Sequence, residues 1–142
     1  MQEEQQFHEL SFYTLSHPDK DYFIHQHIVD AFTAQVAGPD TKKIAILFSL
    51  AGLYLMIEKN FTGRKVQLVH MELAKRKEDL PEITLPSSRG EITITDVLNA
   101  KPGKERDERI RKWCASVWQA YSHSRNDIIK FLADHNIVQD NP

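Results

Sequence analysis

Hydrophobic positions recur with helical spacing along most of the chain. In the C-terminal third, Ile110, Trp113, Cys114, Val117, Tyr121, Ile128, Phe131 and Leu132 recur at three- and four-residue steps. At about 100° per residue they fall in one arc. The pattern predicts a helix over about 104–134, roughly 45 Å long at about 1.5 Å per residue, bending near Ser122–Ser124. Upstream, Ile44–Ile57 is apolar except at Ser49 and Gly52. That run is shorter than the roughly 20 residues of a membrane span, and its all-round apolarity predicts a buried core helix.

Breakers divide the rest. Five of the six prolines lie where the pattern changes, and the sixth ends the chain. Phe7–Leu15 reads as a short helix. Asp19 or Asp21 is the expected cap of a second helix, which Gly38-Pro39 stops after Ala37. Asp40 or Thr41 is the expected cap of the third helix, running through the apolar stretch to about Lys59. Asn60–Gly63 is a tight connection. A fourth helix, about 64–77, ends in Lys75-Arg76-Lys77, where cations favour a helix C-terminus. Pro81, Pro86 and Ser87-Ser88-Arg89-Gly90 then interrupt. Ile83-Thr84-Leu85 and Ile92-Thr93-Ile94 read as two short strands able to pair. Thr95 or Asp96 starts one helical turn through Val97-Leu98. The expected fold is mostly α: a single-domain bundle of about five helices over residues 1–142, with a short irregular or β-hairpin-like insertion near 80–95.

Composition narrows the function classes. The chain has 142 residues, 41% hydrophobic and 27% charged, as in soluble globular domains. Its 18 basic and 20 acidic residues give a net charge of -2, so no nucleic-acid partner is expected. Such a partner would need Lys42-Lys43, Arg64-Lys65 and Lys75-Arg76-Lys77 on one surface. Met1–Gln6 is acidic and amide-rich, unlike a signal peptide, and a cytoplasmic location without membrane association is expected. The single cysteine excludes an internal disulfide framework and a cysteine-rich zinc site. Buried in the last helix, Cys114 reads as a small apolar group.

Seven histidines remain as candidate chemistry. On the second helix, Ile24, Ile28, Val29, Phe32 and Val36 set an apolar arc that includes His25. His27 lies about 200° from His25, so a regular helix cannot bring both to one ion. His27 and Asp30, three apart, share the opposite flank and suit a side-chain pair. On the fourth helix, His70 lies among Val66, Val69, Leu73 and Ala74. His8 and Glu9 lie on the short first helix; His17, His123 and His135 read as peripheral. The first functional reading is a His/carboxylate pocket between helices, drawn from His25, His70, His8, Asp30 and His27. It would bind a divalent metal or a small polar ligand, and whether it catalyses anything stays open. No H-E-x-x-H element is present. Core histidines bonded to backbone carbonyls are the structural alternative. The second functional reading is a non-catalytic interaction or homo-oligomerisation domain using Trp113, Trp118 and Tyr121.

Three stretches resemble an uncharacterised bacterial family, a domain of unknown function. They are His25-Gln26 with Val29-Asp30-Ala31 and Gln35; Gly90, Thr93, Asp96-Val97-Leu98 and Ala100; and Trp113, Ser116-Val117-Trp118 and Ala120. The resemblance covers most of the chain, in the family's order. It implies a soluble helical domain sharing His25, Asp30, Asp96 and Trp118, and it implies no activity. Many members begin with a Cys-x-x-Cys element, which this chain lacks, so a cysteine-zinc role cannot operate here in that form.

Overall fold

The computed structural model describes residues 2–16, 22–75 and 80–137. Among them the chain is helical, with no β-strand. In order, the helices are α1 (Gln2–Ser16), α2 (Ile24–Val36), α3 (Lys43–Lys59), α4 (Gly63–Leu73), α5 (Ile94–Asn99), α6 (Lys104–Ala120) and α7 (Arg125–Asp134). A single 3-10 turn, Ser122–Ser124, joins α6 to α7, so the long C-terminal helix divides where a bend was expected. The two β-branched pieces near 80–95 do not pair as a hairpin. That segment runs irregularly across the bundle instead.

The apolar run behaves as predicted. It forms α3, buried without interruption from Ser49 to Met56. α2 packs against α1, α3, α4 and α6, so it has partners on nearly every side. No helix among the described residues is long and apolar enough to cross a membrane.

Several helix starts differ from expectation. The expected caps Asp19 and Asp21 lie outside the described residues, as do His17, Arg76 and Lys77. α2 is preceded by Phe23, whose φ of 51° is left-handed and which provides no side-chain cap. The residue before α3 is Lys42, also without a side-chain cap, while the Thr41 hydroxyl turns back to accept from the Gly38 N–H at 2.9 Å. Thr62 caps α4 by accepting from the Lys65 N–H. At α5 the cap is Thr93, and Asp96 closes a capping box by accepting from the Thr93 N–H at 2.9 Å. Reciprocal bonding of this kind lets a six-residue helix hold its first turn.

The irregular segment is tied down by polar side chains. Gln35 donates to the carbonyls of Ile92 (2.7 Å) and Arg89 (3.3 Å) and accepts from the Trp113 indole at 2.8 Å. Arg89 donates to the carbonyl of Ala37 at 2.6 Å and, at longer range, to those of Ala34 and Gln35. It thereby satisfies carbonyls that the end of α2 leaves free. Gly90, at φ 101°, lies against Ser116, where a Cβ would fall 2.6 Å from the hydroxyl oxygen. That hydroxyl accepts from the Glu91 N–H at 3.0 Å. The three stretches that carried the resemblance thus meet in space: Gln35 joins Trp113, and Gly90 meets Ser116.

Candidate functional site: the buried polar flank of α2

The inner flank of α2 is not its most apolar arc. His27, Ile28, Asp30, Ala31 and Ala34 are buried, whereas Val29 and Phe32 are half-buried and Val36 is exposed. Small residues let α2 and α3 approach closely. The contact is tightest at Gly52, where a Cβ would lie 2.0 Å from Asp30 Oδ2 and 3.1 Å from Val66 Cγ1. α3 therefore breaks its apolar run with glycine where a buried carboxyl group lies against it.

Asp30 is 2% exposed. Its Oδ1 accepts from Gln26 Nε2 at 3.2 Å, and its Oδ2 has no hydrogen-bond partner. Burial pushes its pKa well above the usual carboxylate range, and the Gln26 bond opposes this only in part. Gln26 Nε2 also lies 3.4 Å from His70 Nδ1. His70 Nε2 lies 2.8 Å from the Phe48 carbonyl, which can only accept, so Nε2 carries the proton and Nδ1 accepts from Gln26. The imidazole also stacks on the Phe48 ring. His70 Nε2 is 3.9 Å from Asp30 Oδ1, but the two do not form an ion pair. Burial lowers the imidazole pKa, against the Phe48 bond, and raises that of the acid, so both shifts favour the neutral forms.

His27 is fully buried, and neither ring nitrogen has a partner. Burial, then the Arg111 charge, lowers its pKa to about 4. Its position follows from the segment before α2. The Gly63 N–H at the start of α4 donates to the Tyr22 carbonyl at 2.5 Å. A Cβ on Gly63 would fall 1.8 Å from the Phe23 carbonyl oxygen, so glycine permits this close approach. Tyr22, held in this way, places its ring edge-on to His27 at 5.5 Å between centroids. Arg111 of α6 donates to the Tyr22 hydroxyl and lies over its ring. Cys114, one helical turn nearer the core, donates to the His27 carbonyl at 3.7 Å. Burial, then the nearby Asp30, pushes its thiol well above the usual range, so it is not poised as a nucleophile.

The expected site residues therefore separate. Asp30 and His70 come together through Gln26, and His27 shares the Asp30 flank. His25 does not join them: it is half-buried, with Nδ1 3.0 Å from the Thr14 hydroxyl of α1. The expectation that His25 and His70 face one interior while His27 and Asp30 lie outside it is corrected. α2 has neighbours all round, so its apolar arc does not mark a unique inner face. His8 is exposed on α1. His123 bonds the Thr84 carbonyl and His135 the Phe131 carbonyl. Trp113, Trp118 and Tyr121, the expected interaction face, are buried within the chain's own core. Their polar atoms are used there, Trp118 donating to Glu58 and Tyr121 to the Ala34 carbonyl. Among the described residues, no group of three His, Cys, Asp or Glu side chains could hold a metal ion.

Sequence reasoning missed Gln26, Gly52, Tyr22 and Arg111 as participants. Gln26 precedes Asp30 by one turn, and Gly52 interrupts an apolar run; both are readable signals. Tyr22 and Arg111, 89 residues apart, meet only through the fold.

The chain belongs to DUF5946, a family of unknown function whose model matches residues 4–122. Comparison with curated proteins and with solved structures gave no match.

Proposed function

We propose that this chain is a small-ligand-binding helical domain, with its recognition centre on the buried flank of α2 at His27 and Asp30. One observation carries the reading: His27 Nδ1, His27 Nε2 and Asp30 Oδ2 are buried within one turn of helix, and none has a partner. Leaving such a group unpaired costs about 1–3 kcal/mol each, so a chain keeping three together gains from whatever satisfies them. A neutral imidazole and a neutral carboxyl offer both donors and acceptors. That chemistry suits a small polar molecule. A divalent ion would find fewer than the three or four protein ligands that usually hold zinc. Gln26 and His70 support the site by fixing Asp30 from the α4 side.

Nitrogen-detected NMR of the His27 ring tests this, with small polar compounds and divalent ions added in turn. Binding is expected to shift the His27 signals and to be lost in His27→Phe. If no compound or ion moves those signals, the reading fails.

A second reading, an interaction domain, is favoured by exposed apolar side chains on two helices rather than by the face expected. Phe12 and Leu15 on α1 and Leu68 and Met71 on α4 are more than half exposed. Large exposed apolar side chains of this kind mark contact surfaces when they form a patch. Light scattering of the parent and of Phe12→Ser/Met71→Ser checks self-association: a concentration-dependent dimer lost in the variant supports it, and a monomer throughout removes it.

A further inference from the structure

The Tyr22 ring meets the His27 ring edge-on. It also lines a surface pocket of about 410 Å³ between the start of α2 and the first two turns of α6. Ile24 supplies an apolar wall beside Tyr22, and Lys104, Asp107, Glu108 and Arg111 line the opposite side. These four recur at helical spacing, so one stripe of α6 presents two cations and two anions. They do not neutralise one another. Asp107 accepts from the Tyr13 hydroxyl at 2.8 Å, and Arg111 is turned away from Glu108 onto Tyr22. Glu108 and Lys104 are exposed, and neither has an ion-pair partner among the described residues.

We propose that this pocket selects a small zwitterion of the α-amino-acid class. Resting on the reading that His27 and Asp30 form the inner centre, the pocket is its mouth. The ligand's carboxylate pairs with the planar Arg111 guanidinium, which suits two parallel hydrogen bonds to a carboxylate. Its ammonium group pairs with Glu108, one turn away. Ile24 and the Tyr22 ring meet its side chain. The guanidinium leaves the Tyr22 hydroxyl to bind the carboxylate. A simple anion would gain Arg111 but face Glu108 and Asp107. A simple cation would face Arg111 and Lys104. Only a molecule carrying both charges meets both halves of the stripe favourably.

The test is an NMR and calorimetric titration of the full chain with individual standard α-amino acids. Acetate and methylammonium, each alone, serve as controls. Arg111→Met, Glu108→Gln and His27→Phe are compared with the parent; the first two alter exposed side chains and should leave the fold intact. The expected result is binding by at least one amino acid, at least tenfold weaker in both Arg111→Met and Glu108→Gln, with acetate and methylammonium at least tenfold weaker still on the parent. Acetate binding as tightly as any amino acid, indifference to Glu108→Gln, or no binding by any amino acid overturns the proposal. If another small polar molecule shifts His27 while no amino acid binds, the zwitterion assignment falls and the inner centre stands. If an amino acid binds with the expected mouth dependence but is indifferent to His27→Phe, the zwitterion assignment stands and the inner centre falls.

Discussion

At the C-terminal end of α2, Gln35 has a partner for its oxygen and two for its amide nitrogen, whereas about two turns earlier His27 has none for either ring nitrogen. Both side chains lie on the same helix and face α6. Around Gln35 the polar groups form a closed set: Trp113, Tyr121 and Arg89 each reach an acceptor, and Arg89 covers the last carbonyls of the helix. That network holds an irregular segment against the bundle where no strand pairing is available. Around His27 and Asp30 the set is open, although burial is at least as deep. A polar group retained in the core without a partner stabilises nothing by itself. The C-terminal half of α2 thus has its polar groups paired, and the N-terminal half keeps three that the proposed ligand would satisfy.

Removing one side chain from each half gives the largest expected contrast. Gln35→Leu keeps the approximate volume but strands the Trp113 N–H and the carbonyls of Arg89 and Ile92, at a cost of about 3–4 kcal/mol in urea denaturation. His27→Leu removes a polar ring with no partners, and it should be neutral or stabilising by about 1 kcal/mol at pH 7. Equal destabilisation by the two substitutions would erase the distinction between the halves.

The pH dependence sharpens it next. His27 has a folded pKa of about 4 against 6.5 for the free side chain, so between those values the unfolded chain binds more protons. Its contribution is present in full above about pH 6.5 and is lost as pH falls through 4, a change of about 3 kcal/mol. Denaturation curves at pH 7 and pH 4 should show that loss in the parent and markedly less of it in His27→Leu. Gln35→Leu should leave the pH slope unchanged, because no titrating group is altered.

These contrasts also show what the sequence makes legible. The helical periodicity located α2, α3, α4 and the arc shared by α6 and α7, with the bend at Ser122–Ser124 visible as a polar break, but it caught only Phe7–Leu15 of α1 and led to about five helices where the described residues form seven. The buried run of α3 was equally plain. The inner face of α2 was not, because an apolar arc identifies the core side only when a helix has one neighbour. α2 has four helical neighbours among the described residues, and the close approach of Gly52 to Asp30 mattered more than hydrophobicity. The missing hairpin has a related cause. Gln35 and Ser116 supply partners for the backbone of Ile92 and Glu91, so local β propensity was overridden by side chains distant in sequence.

Gly52 probes the junction between the two halves with a smaller effect. Gly52→Ala drives a methyl group into the Asp30 carboxyl and should cost about 2 kcal/mol despite the better helix propensity of alanine. In an Asp30→Ser background only the 3.1 Å approach to Val66 Cγ1 remains, and the same substitution should cost much less. A double-mutant cycle reads the coupling directly. Additive effects would mean that Asp30 does not set the need for glycine.

The smallest effect expected is that of Asp30→Asn, and its sign is the informative part. The folded state holds Asp30 as the neutral acid because burial raises its pKa well above 3.8. The unfolded chain ionises near the ordinary value. Stability from this group is therefore present in full below about pH 3.8 and is lost as pH rises toward the folded pKa, the reverse of His27. Asparagine keeps the shape and an oxygen for Gln26 but has no proton to release. It should stabilise the fold at pH 8 by about 1 kcal/mol, on the scale of a single hydrogen bond, and by less at pH 4. The same substitution removes the carboxyl O–H from the inner centre, so it should weaken any ligand that His27→Phe also weakens. A more stable protein that binds less tightly is the outcome expected if the polar flank of α2 is kept for a ligand. Gain or loss of both together would place Asp30 with Gln35 as a structural group.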